Sequence, residues 1–201
     1  MANEPGAGVD RIIAFSDGVV AIAITLLVLP LTEIDRAAGS NLGDVVSENS
    51  AALFAFALSF AVIANYWMIH HAILRPLRRH NRRFIQLNML WLAAIVFLPF
   101  PTALIADGLE GGFGTLYITT LLLVSILDFF LANYLANHPE LTDGEATADS
   151  RQHAIASAVS AGALLVAVII SFYSPTIGIW ALFLLVPTQI IAARVWPRGF
   201  S

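Results

Sequence analysis

The sequence predicts an all-α integral membrane protein: six transmembrane helices per subunit, with both termini cytoplasmic. Three observations carry this expectation. Of 201 residues, 58% are hydrophobic and 12% charged, where soluble domains run roughly 45–50% apolar and about 25% charged. Six apolar runs, near 11–31, 51–74, 84–105, 113–136, 153–173 and 176–195, approach the ~20 residues needed to cross hydrocarbon as a helix. The basic residues, ten arginines without a lysine, also fall very unevenly between the two sides of that alternation.

In lipid a segment must satisfy its own backbone, so the spans are read as helices of one six-helix domain covering 1–201, not as a barrel. The first span, Arg11 to Leu31, carries an arginine, a serine and an aspartate in its first turns. It is too long for a cleavable leader, lacks a small-residue cleavage pattern, and is followed by five more runs of its kind. Breakers separate the spans: Gly39–Gly43, Pro76, Asp107–Gly114, Pro139–Gly144 and Pro175. Pro30, Pro99, Pro101 and Pro187 sit where they end or kink helices. Trp91, Trp180, Tyr173 and Trp196 suit interfacial belts.

Arginine placement sets the direction. Arg75, Arg78, Arg79, Arg82 and Arg83 follow the second span, and Arg11, Arg151, Arg194 and Arg198 fall on the same side. Only Arg36 lies opposite, beside Glu33, Asp35, Asp44 and Glu48. Nine against one puts both termini in the cytoplasm of a multi-pass protein of the cell membrane. The cluster reads as an anchor against anionic lipid. It is not a nucleic-acid surface, having no interleaved aromatic platform. Without cysteine there is no disulfide framework and no thiolate site.

At 100° per residue, Ala14, Gly18, Ala21 and Thr25 share an arc of roughly 60° on the first helix. Small residues on one stripe allow membrane helices to approach closely. Ile22 and Leu29 lie beside the stripe and Leu26 a little further round. That face suits contact between copies of the helix around an axis, with apolar rings pointing inward as a constriction that gates by dewetting. Ordinary bundle packing explains the same periodicity. Asp17 is rotated about 140° from Ile22, so it should face its own subunit. At matching depth on the second span lie His70 and, somewhat deeper, Asn65, which are the expected partners of Ser16 and Asp17. A buried carboxylate in a membrane helix requires such a partner.

The remaining polar residues have quieter readings. His71 and His80 are expected at the interface without metal ligation, and His138 to Asp149 as a solvated loop. Asp128, Asn133 and Asn88 are expected to make hydrogen bonds within the subunit.

Arg11-x-x-x-Phe15-Ser16-Asp17, followed by an Ala-Ile-x-x-Thr-Leu-Leu run, resembles the signature of the endosomal and lysosomal potassium channel family, transmembrane protein 175. Asn65-x-Trp67-x-x-His70 is similar to that family too. One Phe-Ser-Asp motif is present and no second copy, as in the short bacterial form. The resemblance implies a homotetramer whose four first helices line a central pore, with no re-entrant filter loop; no Thr-Val-Gly-Tyr-Gly sequence occurs here. It places Ile22 at the constriction, Leu26 and Leu29 along the apolar lining, and Thr25 where a threonine ring favours potassium over sodium. Arg11, Phe15, Ser16, Asp17, Asn65, Trp67 and His70 fall in the family's structural polar network. The implied function is a potassium-permeable cation channel, with permeant potassium instead of a bound cofactor. Its partners are further copies of itself and the bilayer. The competing readings are weaker. A secondary transporter or proton-coupled protein would show internal repeats or broken midplane helices. An enzyme would need convergent acids, bases or metal ligands, and none occur at useful spacing.

Overall fold

The computed structural model describes residues 7–34, 41–108, 110–143 and 147–173. Within these the α-helices are α1 Ala7–Leu26, α2 Leu29–Thr32, α3 Leu42–Glu48, α4 Ser50–Leu74, α5 Arg82–Phe97, α6 Pro99–Ala106, α7 Phe113–Ala136 and α8 Thr147–Tyr173. Five stretches are long and apolar enough to cross a membrane: Gly8–Thr32, Ser50–Leu74, Arg82–Ala106, Phe113–Ala136 and Ala148–Tyr173. The sixth expected span, 176–195, lies outside the described residues, as do Arg36, Trp180, Pro187, Arg194, Trp196 and Arg198.

Two spans are broken, each for a local reason. Pro30 lacks the N–H that would bond Leu26, and its ring crowds that carbonyl. Helix α1 therefore tightens and stops, with Leu27 and Val28 donating to Ile24 and Thr25 three residues back, each at 3.3 Å. Pro99 acts likewise on Ile95. The Leu98 amide falls back to the Ile95 carbonyl at 3.1 Å, and α6 starts at the proline. Each broken pair still reads as one membrane-length stretch.

Helices also run past the apolar windows. Helix α8 starts at Thr147, six residues before the expected 153, because polar residues outside hydrocarbon continue a helix as readily as apolar ones. The connection after α2 contains α3, started by a capping box in which Asn41 and Asp44 each accept the other's backbone N–H at 3.1 Å. The segment from His138 is only partly solvated. Leu141 and Thr142 are buried, and the Leu141 carbonyl accepts the Arg78 and Arg79 amides at 2.8 and 3.0 Å. Gly8, in the first turn of α1, approaches His80 so closely that a Cβ there would lie 2.8 Å from Nε2. The α4–α5 and α7–α8 connections and the start of α1 thus meet at one end of the bundle, the end that carries Arg11, Arg75, Arg78, Arg79, Arg82 and Arg83.

Helix α7 is the interior element, packed on α8, α5, α6 and α4, while α1 rests on α4 and α5. Trp91, Tyr117 and Phe84 are the largest fully buried side chains. The interior also holds layers of polar contacts. Ser59 Oγ donates to the Tyr117 hydroxyl at 3.1 Å, Thr102 Oγ1 reaches Ser59 at 2.9 Å, and the Tyr66 hydroxyl bonds Ser125 at 2.8 Å.

Candidate functional site

The first span, α1 with the start of α2, has two distinct faces. Val9, Ser16, Val20, Ala23 and Leu27 point into the subunit and are buried. Their spacing of seven, four, three and four residues is one stripe of a 3.6-residue helix. The opposite stripe, Arg11, Ala14, Phe15, Gly18, Ala21, Ile22, Thr25, Leu26 and Leu29, is exposed. Ile22 is 61% exposed, Leu29 51% and Leu26 37%. Among the described residues, no side chain would touch a Cβ at Gly18. The Thr25 hydroxyl donates to the Ile22 carbonyl at 2.8 Å, which ties it to its own helix and leaves its oxygen on the open face.

Asp17 sits at the edge between these faces, its side chain 41% exposed. Its partner is not His70. Trp67 Nε1 donates to Asp17 Oδ1 at 2.8 Å, and His71 Nδ1 lies 4.0 Å from the same oxygen. Trp67 and His71 are four residues apart, so they share one face of α4; their rings lie 5.7 Å apart. His70 is a further 100° round and points into the subunit. Matching depths gave the right level on α4 but the wrong azimuth.

Ser16 is likewise bonded elsewhere. Its hydroxyl donates to the Ile12 carbonyl at 2.9 Å and accepts Asn88 Nδ2 of α5 at 3.0 Å. Asn88, expected to make a bond within the subunit, is thus the true partner of the serine. Asn65 is partly buried and contributes no hydrogen bond to this network; Arg11 and Phe15 are exposed and stand outside it.

His70 belongs to a second cluster. It stacks flat on Trp91, ring centroids 3.6 Å apart and planes within 7°. Its Nδ1 lies 3.9 Å from Asp128 Oδ1 of α7. Trp91, expected in an interfacial belt, is wholly buried; its aromatic type suggested the membrane surface, but its ring fills the space between α4, α5 and α7. Asn133 is exposed, not buried, and accepts the Asn137 amide at 2.7 Å through its carbonyl near the end of α7. Among the described residues no three His, Asp or Glu side chains converge as a metal site would require.

Comparisons with known proteins extend this picture. The family described as the endosomal/lysosomal potassium channel TMEM175 matches residues 11–99. That stretch holds α1 from Arg11 onward, the Asp17 clamp and Asn88. A potassium channel of Chamaesiphon minutus is 44% identical over 99 residues, 48% of this chain and 49% of its own. The endosomal/lysosomal proton channel TMEM175 of Gallus gallus is 27% identical over 94% of this chain and 42% of its own. The chain thus spans about half the length of the curated relatives it matches. A crystal structure of a lysosomal potassium-selective channel TMEM175 homolog from Chamaesiphon minutus superposes with a TM-score of 0.78 at 30% identity. It covers 92% of this chain and 98% of that one.

Proposed function

The chain belongs to the TMEM175 family, and from that premise we propose that it is a potassium-permeable cation channel of the cell membrane, assembled as a homotetramer around an axis lined by α1. The observation that carries this reading is the stripe of α1 left uncovered by its own subunit. Apolar residues facing outward are ordinary in lipid. Ala14, Gly18, Ala21 and Thr25 facing outward together are not, because small residues gain nothing from lipid and much from a neighbouring backbone.

In the assembly Ile22 forms the tightest apolar ring, continued by Leu26 and Leu29. Ions pass when that ring widens and wets. Thr25 adds hydroxyl oxygens one turn from Ile22, few enough that preference for potassium over sodium is moderate, and no filter loop is involved. Asp17, held by Trp67, fixes the rotation of α1 about its own axis and so keeps Ile22 directed at the lumen. Both termini face the cytoplasm, with the arginine-bearing end of the bundle on that side. The protein catalyses no reaction.

Cation flux into liposomes carrying the purified protein tests the reading, first under a potassium gradient and then an equal sodium gradient. Potassium flux should exceed sodium flux. Ile22→Asn should raise basal flux by letting water occupy the constriction. Unchanged or lower flux from assembled Ile22→Asn protein would overturn the constriction.

A further inference from the structure

The interior cluster around His70 breaks the rule that buried polar groups find partners. His70, Asn88, Trp91 and Asp128 are 2%, 0%, 0% and 1% exposed. Both ring nitrogens of His70, both carboxyl oxygens of Asp128, Trp91 Nε1 and Asn88 Oδ1 lack a hydrogen bond of good geometry. Asn88 sits beside the His70 ring and Trp91 beside the Asp128 carboxyl, yet neither contact closes into one. Three helices direct these groups to one place inside an apolar bundle. An ionisable residue at such depth is costly and marks a site.

We propose that His70 and Asp128 form a proton-binding site in each subunit, one proton held between the two side chains, whose occupancy is transmitted to α1 through Asn88 and Ser16. Charge arithmetic motivates it. With no proton beyond neutral histidine and carboxylate the pair carries −1; with one it is neutral in total; with two it carries +1. Net charge is penalised in this environment, so the surroundings favour the singly occupied state. At 3.9 Å the groups are one small side-chain rotation from a direct hydrogen bond.

Transmission follows contacts already described. Asn88 flanks the His70 ring with its carbonyl oxygen free and holds Ser16 with its amide. A second proton, taken from solution on acidification, leaves an imidazolium beside a neutral carboxyl, and this uncompensated charge strengthens the pull of the ring's remaining N–H on Asn88 Oδ1. Swinging the amide toward His70 loosens its hold on Ser16, six residues and about 9 Å from Ile22 along α1. The titratable neighbours are Tyr66 and His71 on α4, with Asp17 of α1 facing His71; α5 presents only the neutral Asn88 and Trp91.

Two measurements on the full chain in nanodiscs test the site. Infrared spectra report whether Asp128 is a carboxylic acid, assigned by the band lost in Asp128→Asn. Ring-nitrogen chemical shifts report the protonation of His70, assigned by the signal lost in His70→Gln. At neutral pH the two should sum to one proton, and a carboxylate beside a neutral ring would overturn the site. On acidification the Asn88 side-chain amide signals should move together with the second proton; if they stay fixed, transmission to α1 is overturned. A third arm rests on the channel reading. Potassium flux should change about fivefold or more between neutral and acidic pH, and the double variant His70→Gln with Asp128→Asn should abolish that change. Equal responses in both would overturn the coupling. Absence of flux at any pH would strike the channel reading alone, since the spectroscopic count does not depend on conduction.

Discussion

Helices α1 and α7 are both apolar enough to cross a membrane, yet they sit in the molecule in opposite ways. Over an apolar run of 18 residues in the stretch containing α1, 22% is buried; over one of 18 in α7, 56%. Hydrophobicity does not sort them. In water an apolar helix seeks the core, but hydrocarbon solvates leucine as well as a protein interior does, so polarity and side-chain size decide instead. Helix α7 behaves as that rule requires, turning Gly114, Tyr117, Thr120, Ser125 and Asp128 inward. Helix α1 turns Ser16 inward but leaves Gly18 and Thr25 outward. By the same rule the outward small and polar residues of α1 gain more from a protein surface than from lipid, which is what the proposed assembly would supply.

The largest expected effect separates the two helices by what each substitution damages. Trp91→Ala empties the space between α4, α5 and α7 and should cost about 3–5 kcal/mol, read as a fall in unfolding midpoint of the reconstituted protein. Ile22→Ala should change stability by no more than about 0.5 kcal/mol while altering flux, because a side chain facing a lumen packs on little. Equal destabilisation by the two would break the comparison, placing Ile22 in a packed interface instead of at a constriction.

Glycine sharpens the comparison further. Gly18 on α1 and Gly162 on α8 both have open space where a Cβ would stand. Among the described residues nothing lies within 4 Å of a Cβ at either. Gly18→Leu should nevertheless shift the protein from oligomer to monomer in size-exclusion chromatography with light scattering, because copies of α1 approach there. Gly162→Leu, on a helix without such an outward stripe, should leave the assembly intact. If neither variant changes the mass, the stripe on α1 is a lipid-facing surface after all.

Axial position was legible in the sequence and azimuth was not. Apolar length placed α4 at Ser50–Leu74 against an expected 51–74, and α7 at Phe113–Ala136 against 113–136. Where helices pass beyond hydrocarbon, as at Thr147, hydropathy stops reporting and the bound slips. The pairing of Asp17 failed for a different reason. Residues at one depth on a neighbouring helix span the full circle, and only the mutual rotation of α1 and α4, a property of the packed bundle, selects Trp67 and His71 over His70. The bond from Asn88 to Ser16 spans 72 residues, and nothing local to either announces it. Trp91 shows the limit of residue statistics, since the preference of tryptophan for interfaces yields where a ring is needed to fill an interior. The capping box of Asn41 and Asp44 and the breaks at Pro30 and Pro99, by contrast, follow from local chemistry alone.

The smallest effect concerns the connection that joins α4 to α5, which resembles α7 in finding its partners inside the subunit. Arg78 Nη2 donates to Asp143 Oδ2 at 3.0 Å, but the two side chains are 60% and 43% exposed. Such a pair contributes about 0.2–1 kcal/mol and is weakened by salt. What fixes this connection is backbone: the Arg78 and Arg79 amides on the Leu141 carbonyl, with Leu77 and Leu141 buried beside them. Arg78→Ala keeps all of that. It should lower the unfolding midpoint slightly at low ionic strength and not at all at high, with flux unchanged. A large loss that persists in salt would mean that the arginine holds the connection through contacts that salt does not screen.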